Sequence, residues 1–284
     1  MRKLLSIVLY LRERNSYPEW VRKTHAQLDK AIDLFFVYGD NKFSEYNKIL
    51  SSIHSVYVIF LDSNDELTTA FIDNFLRMDY KDDIYLFNYY KKYSDNSYEI
   101  NKVNVYHANA NIISNAIINL SYNEVGLHNK LFNVDLIKRS SVHFNENLGE
   151  YIERFFFLSL LKSNPSIKYV DKPIVTRYIN KNRIIGYINN PPLSSLSDIK
   201  AFNLYIDAIS NLFGDNYSED INNLKIRQKE NCIRNNIFKI TDYNYYISPN
   251  SIVSIWHQDW GLKRRIAVII ICLLNSIGFH TSYF

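Results

Sequence analysis

Short apolar runs, each ended by a cluster of carboxylates, amides or glycine, set the pattern of this chain. The clearest is Val56-Tyr57-Val58-Ile59-Phe60-Leu61, followed at once by Asp62-Ser63-Asn64-Asp65-Glu66. An unbroken run of β-branched and aromatic residues predicts a strand buried on both faces. Such a strand holds the polar groups at its C-terminal end at a fixed point, and in open α/β sheets that is the end where ligands bind. The oxygens of Asp62, Asn64 and Asp65 there have two readings. They suit a hard divalent cation, Mg²⁺ or Mn²⁺, and through it a diphosphate. Alternatively they form an Asx turn that caps the next helix.

The same patterning predicts the other elements. Leu4–Leu11 predicts a first buried strand. Ser16 and Pro18 mark a helix start, with Trp20, Val21, Leu28 and Ile32 along one face of the helix that follows. Leu34–Val37 predicts a second strand, closed by the turn Tyr38-Gly39-Asp40-Asn41, and a short helix around Glu45–Leu50 leads to the central strand. Leu67, Phe71 and Phe75, four residues apart, predict a helix over Leu67–Met78, and Ile84–Tyr90 predicts an aromatic-rich strand. This alternation of strands and helices argues for a mostly parallel sheet with right-handed crossovers. Beyond it, the polar stretch Tyr93–Asn104 predicts a hairpin or loop. Ile112–Leu120 and roughly Glu150–Lys162 predict helices, and Ile167–Val170 and Ile174–Ile179 predict two short strands. Past Asn190-Pro191-Pro192 the composition changes, and 197–240 reads as two polar amphipathic helices.

Composition narrows the classes. A chain of 284 residues accommodates one large α/β domain, or a domain with an appendage. A net charge of +4 is too mild for the electrostatic footprint of a nucleic-acid binder. Cys232 and Cys272 match no metal-site spacing and fit a reducing compartment. Met1-Arg2-Lys3 runs into an apolar stretch too short for a signal peptide, which predicts a cytoplasmic protein. Near the other end, Trp256, Trp260 and the basic Lys263-Arg264-Arg265 lead into Ile266–Leu274. That run is shorter than the roughly 20 residues that span a bilayer. It is apolar all round, which predicts a membrane-interface helix at 262–280 and a peripheral place on the cytoplasmic membrane. A helix packed on the domain core, or a dimer contact, is the other reading.

Four blocks in order carry a resemblance. Tyr57-Val58-Ile59-Phe60-Leu61-Asp62-Ser63-Asn64-Asp65-Glu66-Leu67 is close to "YIxFLDSDDxL". Asn129-Lys130-Leu131-Phe132 with Leu136-Ile137 is close to "NKLFRRELI". His143-Phe144-Asn145-Glu146-Asn147-Leu148 is similar to "RFDENL", and Tyr169-Val170-Asp171-Lys172-Pro173-Ile174 to "YVDKPLYYYR". Together, over roughly Lys3 to Ile184, they resemble family 2 glycosyltransferases of the bacterial polysaccharide and capsule type. The resemblance implies the GT-A fold, a Rossmann-like α/β domain with a mostly parallel mixed sheet flanked by helices. It would occupy 1–190, with a helical C-terminal extension over 191–284.

The resemblance also implies an activity: inverting transfer of a sugar from a nucleotide-diphosphate sugar to a glycan or lipid-linked acceptor at the inner membrane face. The leaving diphosphate needs its charge neutralised by Mn²⁺ or Mg²⁺, a task that falls to Asp62, Asn64 and Asp65. Asn64 replaces the family's middle acid. The attacking hydroxyl needs a base, which the family supplies from a "GED" motif. Matching Gly149-Glu150 to that motif puts Tyr151 at the base position. Counting from Phe144, and back from Asp171, puts Glu153 there. Glu153 is the preferred base and Glu150 the alternative, and an ion-paired surface glutamate is the bland reading of Glu153. Phe155, Phe156 and Phe157 beside it would desolvate it.

Donor binding is assigned to Tyr38, Asp40, Asp62 and Lys130, with Arg12 or Lys48 toward a phosphate. The family's "PxYN", "DDGS" and "NxGxxxARN" patterns are replaced here, the first two by Tyr10-Leu11-Arg12-Glu13 and Tyr38-Gly39-Asp40-Asn41. His128 reads as structural, and Arg177-Tyr178 reverses the family's Tyr-Arg. A non-catalytic GT-A partner of another transferase is the alternative function. A nucleotidyltransferase ranks last, for want of a Gly-rich basic loop after the first strand.

Overall fold

Two strongly apolar stretches of the chain lie side by side inside one sheet. β1 (Leu5–Leu11) and β3 (Tyr57–Asp62) pair in parallel, Leu5 opposite Tyr57 and Tyr10 opposite Asp62. Both are buried along nearly their whole length, as residues apolar on both faces require. The computed structural model that shows this describes residues 3–11, 18, 20–22, 31–69, 71, 75, 77–103, 109–118, 125–179, 196–225, 262 and 266.

β2 (Ile32–Tyr38) pairs in parallel with the other edge of β1. β4 is Asp65–Leu67, β5 Ile84–Tyr93, β6 Tyr98–Asn101, β7 Lys130–Asn133 and β8 Ile167–Ile179. The sheet order is β2-β1-β3-β7-β5-β8-β4, with β6 hairpinned onto β5. β7 is antiparallel to both β3 and β5, and β5 is parallel to β8. Five of the eight strands therefore run one way, and the C-terminal ends of β1, β2 and β3 share one edge.

Helix α1 (Lys42–Ser52) follows β2 through a turn at Gly39, whose φ of +80° suits glycine. It buries Tyr46 and Leu50. α2 spans Ala110–Ile118, and α3 (Val134–Arg139) is capped by Asn133, whose side chain accepts from the Asp135 and Leu136 amides. α4 spans Ile152–Leu161. An aromatic cluster ties α1 and α4 to the sheet. Phe60 of β3 meets Tyr46 at 4.9 Å and Phe156 at 6.1 Å between centroids, and Phe144 stacks on Phe156 at 4.0 Å. Glu153, one turn before Phe156, is thereby held beside the C-terminal end of β3.

The structure departs from the pattern-based expectations at three points. Ile32 opens β2 instead of continuing the helix after Pro18, most of which lies outside the described residues. Leu67 ends β4, and helical residues begin at Thr69, because Asp65–Leu67 finds a partner strand in β8. The two strands expected at 167–179 are one strand with a bulge, where Phe87 pairs Val170 but Asn88 pairs Pro173. Proline has no N–H to give the ladder, so the chain bulges there. The Asn88 side chain fills the gap by donating to Asp171 at 2.7 Å.

The chain divides into two compact units. One comprises Met1–Ser114, Glu124–Glu146 and Ile152–Ile185, and holds the whole sheet. The other comprises Asn115–Asn123, Asn147–Tyr151 and Gly186–Phe284. In it, α5 (Leu196–Phe213) buries Phe202, Tyr205 and Ile209, with Tyr205 stacked on Tyr151 at 4.7 Å. The expected interface helix at 262–280 lies outside the described residues apart from Leu262 and Ile266, which are exposed. No described helix is long and apolar enough to cross a membrane.

Candidate active site

The C-terminal end of β3, the first turns of α1 and α4, the loop entering β7 and the paired strands β4 and β8 converge on one cavity. It contains three carboxylates (Asp62, Asp65, Glu153), two cations (Lys42, Arg177) and His128, walled by Tyr46, Phe60, Leu61 and Leu127. Its volume of about 20 Å³ admits a single water-sized group.

Lys42 organises one side. Its ammonium lies 3.1 Å from Glu153 Oε1 and 3.8 Å from Asp62 Oδ2. It also sits 5.0–5.5 Å from the centroids of the Tyr10, Phe43 and Tyr46 rings. Burial works against its charge, yet Glu153 and Asp62 outweigh that and raise its pKa. Glu153 belongs to the first turn of α4, where the helix dipole favours a carboxylate. It keeps 31% of its side chain exposed, so its aromatic neighbours do not enclose it.

Asp65 organises the other side. One carboxylate oxygen accepts the Asp62 backbone N–H at 2.8 Å. The other lies 3.7 Å from Arg177 Nε, too long for a hydrogen bond, and has no hydrogen-bond partner among the described residues. Burial pushes the Asp65 pKa up to about 6 against the pull of Arg177 and the Asp62 amide. Asp65 and Arg177 meet because they are directly opposed in the antiparallel β4–β8 ladder. Arg177 also donates to His128 Nδ1 at 2.5 Å. Burial, with Arg177, Lys130 and Lys42 nearby, keeps the His128 pKa well below the usual histidine range.

Of the residues assigned from sequence, Asp62, Asp65 and Glu153 come together here. Asn64 is exposed in the turn, and its backbone carbonyl accepts the Tyr178 N–H at 2.8 Å. The cap of the next helix falls to Thr68, whose hydroxyl accepts the Phe71 N–H. Tyr38 and Asp40 stand at the end of β2. Tyr38 is half-buried with its ring stacked toward Phe36, Asp40 is exposed, and neither lines the cavity. Lys130 is fully buried, its ammonium donating to the Gly126 carbonyl at 2.5 Å and to Asn129 Oδ1 at 2.8 Å. Glu150 is exposed in a 3₁₀ segment, and Lys48 pairs with Glu45 at 2.6 Å. Arg12 lies outside the described residues.

Lys42 and Tyr46 went unnoticed in the sequence. A signal was available, because a lysine in the first turn of a helix opposes the helix dipole and implies a carboxylate partner elsewhere.

Among the described residues no three His, Cys, Asp or Glu side chains converge closely enough to hold a metal ion by themselves. The site does offer two hard oxygen donors, the Asp62 carboxylate and Asp65 Oδ1, which accepts no hydrogen bond among the described residues. Magnesium typically takes one or two carboxylates and completes its shell with substrate phosphate and water, so this donor set fits it.

A mixed sheet with helices on its faces, and an acidic turn at the end of its central strand, defines a GT-A-type α/β protein. Solved structures agree on the fold. The chain is similar to residues 1–349 of S. aureus TarS, a GT-A glycosyltransferase, at TM-score 0.55 and 13% identity, covering 98% of this chain and 90% of that one. The TarS 1–349 complex with UDP-GlcNAc gives TM-score 0.54 over the same coverage. A longer TarS structure gives 0.55, with 54% of that chain covered. No family model matches the chain, and no curated protein matches its sequence.

Proposed function

We propose that this protein is an inverting glycosyltransferase that moves a sugar from a nucleotide-diphosphate donor to a hydroxyl of a glycan or lipid-linked acceptor. The observation that carries the reading is the shared grip of Lys42 on Glu153 and Asp62 at the end of the central strand. It supports Glu153 as a base held in place beside the acidic turn. In the reaction the acceptor oxygen bonds to the anomeric carbon, its proton passes to a Glu153 oxygen, and the bond from carbon to the diphosphate oxygen breaks with its electrons leaving on the diphosphate. Lys42 keeps Glu153 oriented, and Arg177 offsets the buried charge of Asp65. Mg²⁺ or Mn²⁺, held by Asp62 and Asp65, would neutralise charge on the leaving group.

UDP-GlcNAc is the first donor to test, since the fold is shared with TarS, which was solved with it. The basic Lys263-Arg264-Arg265 ahead of an apolar run supports an acceptor at the inner membrane face, in cell-surface polysaccharide synthesis.

One observation favours a second reading, a GT-A-fold partner without activity of its own: each carboxylate of the cavity already has a protein cation beside it. Turnover of a nucleotide-sugar panel with Mn²⁺ or Mg²⁺, by wild type and Glu153→Gln, separates the two. A transferase turns over a donor that the variant binds but does not consume. A partner subunit turns over none.

A further inference from the structure

His128 lines the cavity but has no part in the proposed chemistry. It is 6% exposed and lines the same space as Asp62, Asp65 and Glu153. Its Nδ1 faces Arg177 Nη1 at 2.5 Å. A guanidinium offers donors only, so Nδ1 must accept, and the ring proton sits on Nε2. A protonated ring would set N–H against N–H and cation against cation. Nε2–H therefore points from a neutral ring, and among the described residues nothing accepts from it.

The ring is packed on two sides. Tyr89 packs edge-on at 4.6 Å between centroids, with the planes at 88°. On another side, a Cβ on Gly126 would lie 2.9 Å from Nδ1 and 3.1 Å from Cε1, so the ring fills the space that glycine leaves. A buried donor without a partner is costly, and an acceptor brought by a ligand would remove that cost.

We propose that His128 Nε2–H is an orienting donor for a hydroxyl oxygen of the donor sugar, and so helps to set which sugar is accepted. This rests on the glycosyltransferase reading. A cavity of about 20 Å³ takes a group the size of a hydroxyl.

The test uses the full chain with ¹⁵N-labelled histidine. Long-range ¹H–¹⁵N correlation on the free protein is expected to show His128 as the neutral Nε2–H tautomer from pH 6 to 8. A proton on Nδ1, or an imidazolium at pH 6.5, overturns the assignment. UDP-GlcNAc and UDP-glucose are then compared with UDP, with binding followed by calorimetry. The Nε2–H resonance should move with a sugar nucleotide and hold still with UDP. An equal response to UDP, or none when a sugar nucleotide binds, overturns it.

His128→Phe should lower sugar-nucleotide affinity about three- to tenfold with UDP affinity unchanged, and His128→Gln, which retains an N–H, should recover most of the loss. Equal losses for UDP and the sugar nucleotides, or no rescue by Gln, count against the role. If neither these three nor any other member of the nucleotide-sugar panel binds, the glycosyltransferase reading fails and the sugar contact falls with it. Binding that leaves Nε2–H unmoved removes the contact alone.

Discussion

Asp65 and Arg177 face each other across the antiparallel β4–β8 ladder, with the guanidinium Nε 3.7 Å from a carboxylate that is almost wholly buried. The pairing keeps a charge in the interior at the edge of the candidate site. It has a consequence for pH. The Asp65 pKa is pushed up by burial to about 6, above the roughly 3.9 of an unfolded chain. The folded state thus holds a proton that the unfolded state releases. The stability due to this group is complete below about pH 4 and is lost as pH rises through about 6. The loss is on the order of 2–3 kcal/mol. Asp65→Asn, which still accepts the Asp62 N–H, should flatten the fall in stability between pH 4 and 7. Urea unfolding at several pH values checks this, and an unchanged slope would assign it to other groups.

Replacing Arg177 with Met should destabilise the protein by about 1–3 kcal/mol at pH 7. That is less than the loss for a fully buried pair, because a third of the Arg177 side chain is exposed and the contact is long. The deficit should shrink at pH 5, where Asp65 is largely protonated. A deficit independent of pH would mean that Arg177 matters for packing and for His128 more than for Asp65.

Glu153→Gln should reduce turnover about 10²–10⁴-fold while donor affinity holds, the pattern of a lost general base. Lys42→Met should reduce turnover about 10²-fold, since it frees both Glu153 and Asp62 from the geometry they share. Donor titration beside steady-state kinetics reads both. Full activity in Glu153→Gln would transfer the role to another group.

Chelation should abolish donor turnover, and Mn²⁺ or Mg²⁺ should restore it. Asp62→Asn should raise the metal concentration needed for half-maximal activity by about tenfold, as expected when one of two anionic ligands becomes neutral. Turnover that persists in EDTA would leave Lys42 and Arg177 as the charges facing the diphosphate.

Gly126→Ala should cost about 1–2 kcal/mol, because its Cβ would overlap the His128 ring and force it out of place. The signature is a shifted His128 Nε2 resonance together with a lower unfolding midpoint. A ring resonance left in place would mean that the backbone at 126 yields instead.

The strands were legible because their signals are local. Leu5–Leu11 and Tyr57–Asp62 are apolar on both faces, and only the middle of a covered sheet accommodates that. The acidic turn after β3 was legible for the same reason: a fixed strand end followed by oxygens is a statement about neighbours in sequence. Asp62 and Asp65 could be named from it, and Glu153 from spacing between blocks.

What the sequence determined by itself is thus the two parallel strands β1 and β3 and the acidic turn at the end of β3. Tertiary structure alone decided which charges meet. Lys42 reaches Glu153 across 111 positions, Arg177 meets His128 across 49, and β4 exists only because β8 lies beside it. Hydrophobic periodicity reports which face of an element is buried, whereas ion pairs and the tautomer of a buried ring depend on what the rest of the chain brings to that face.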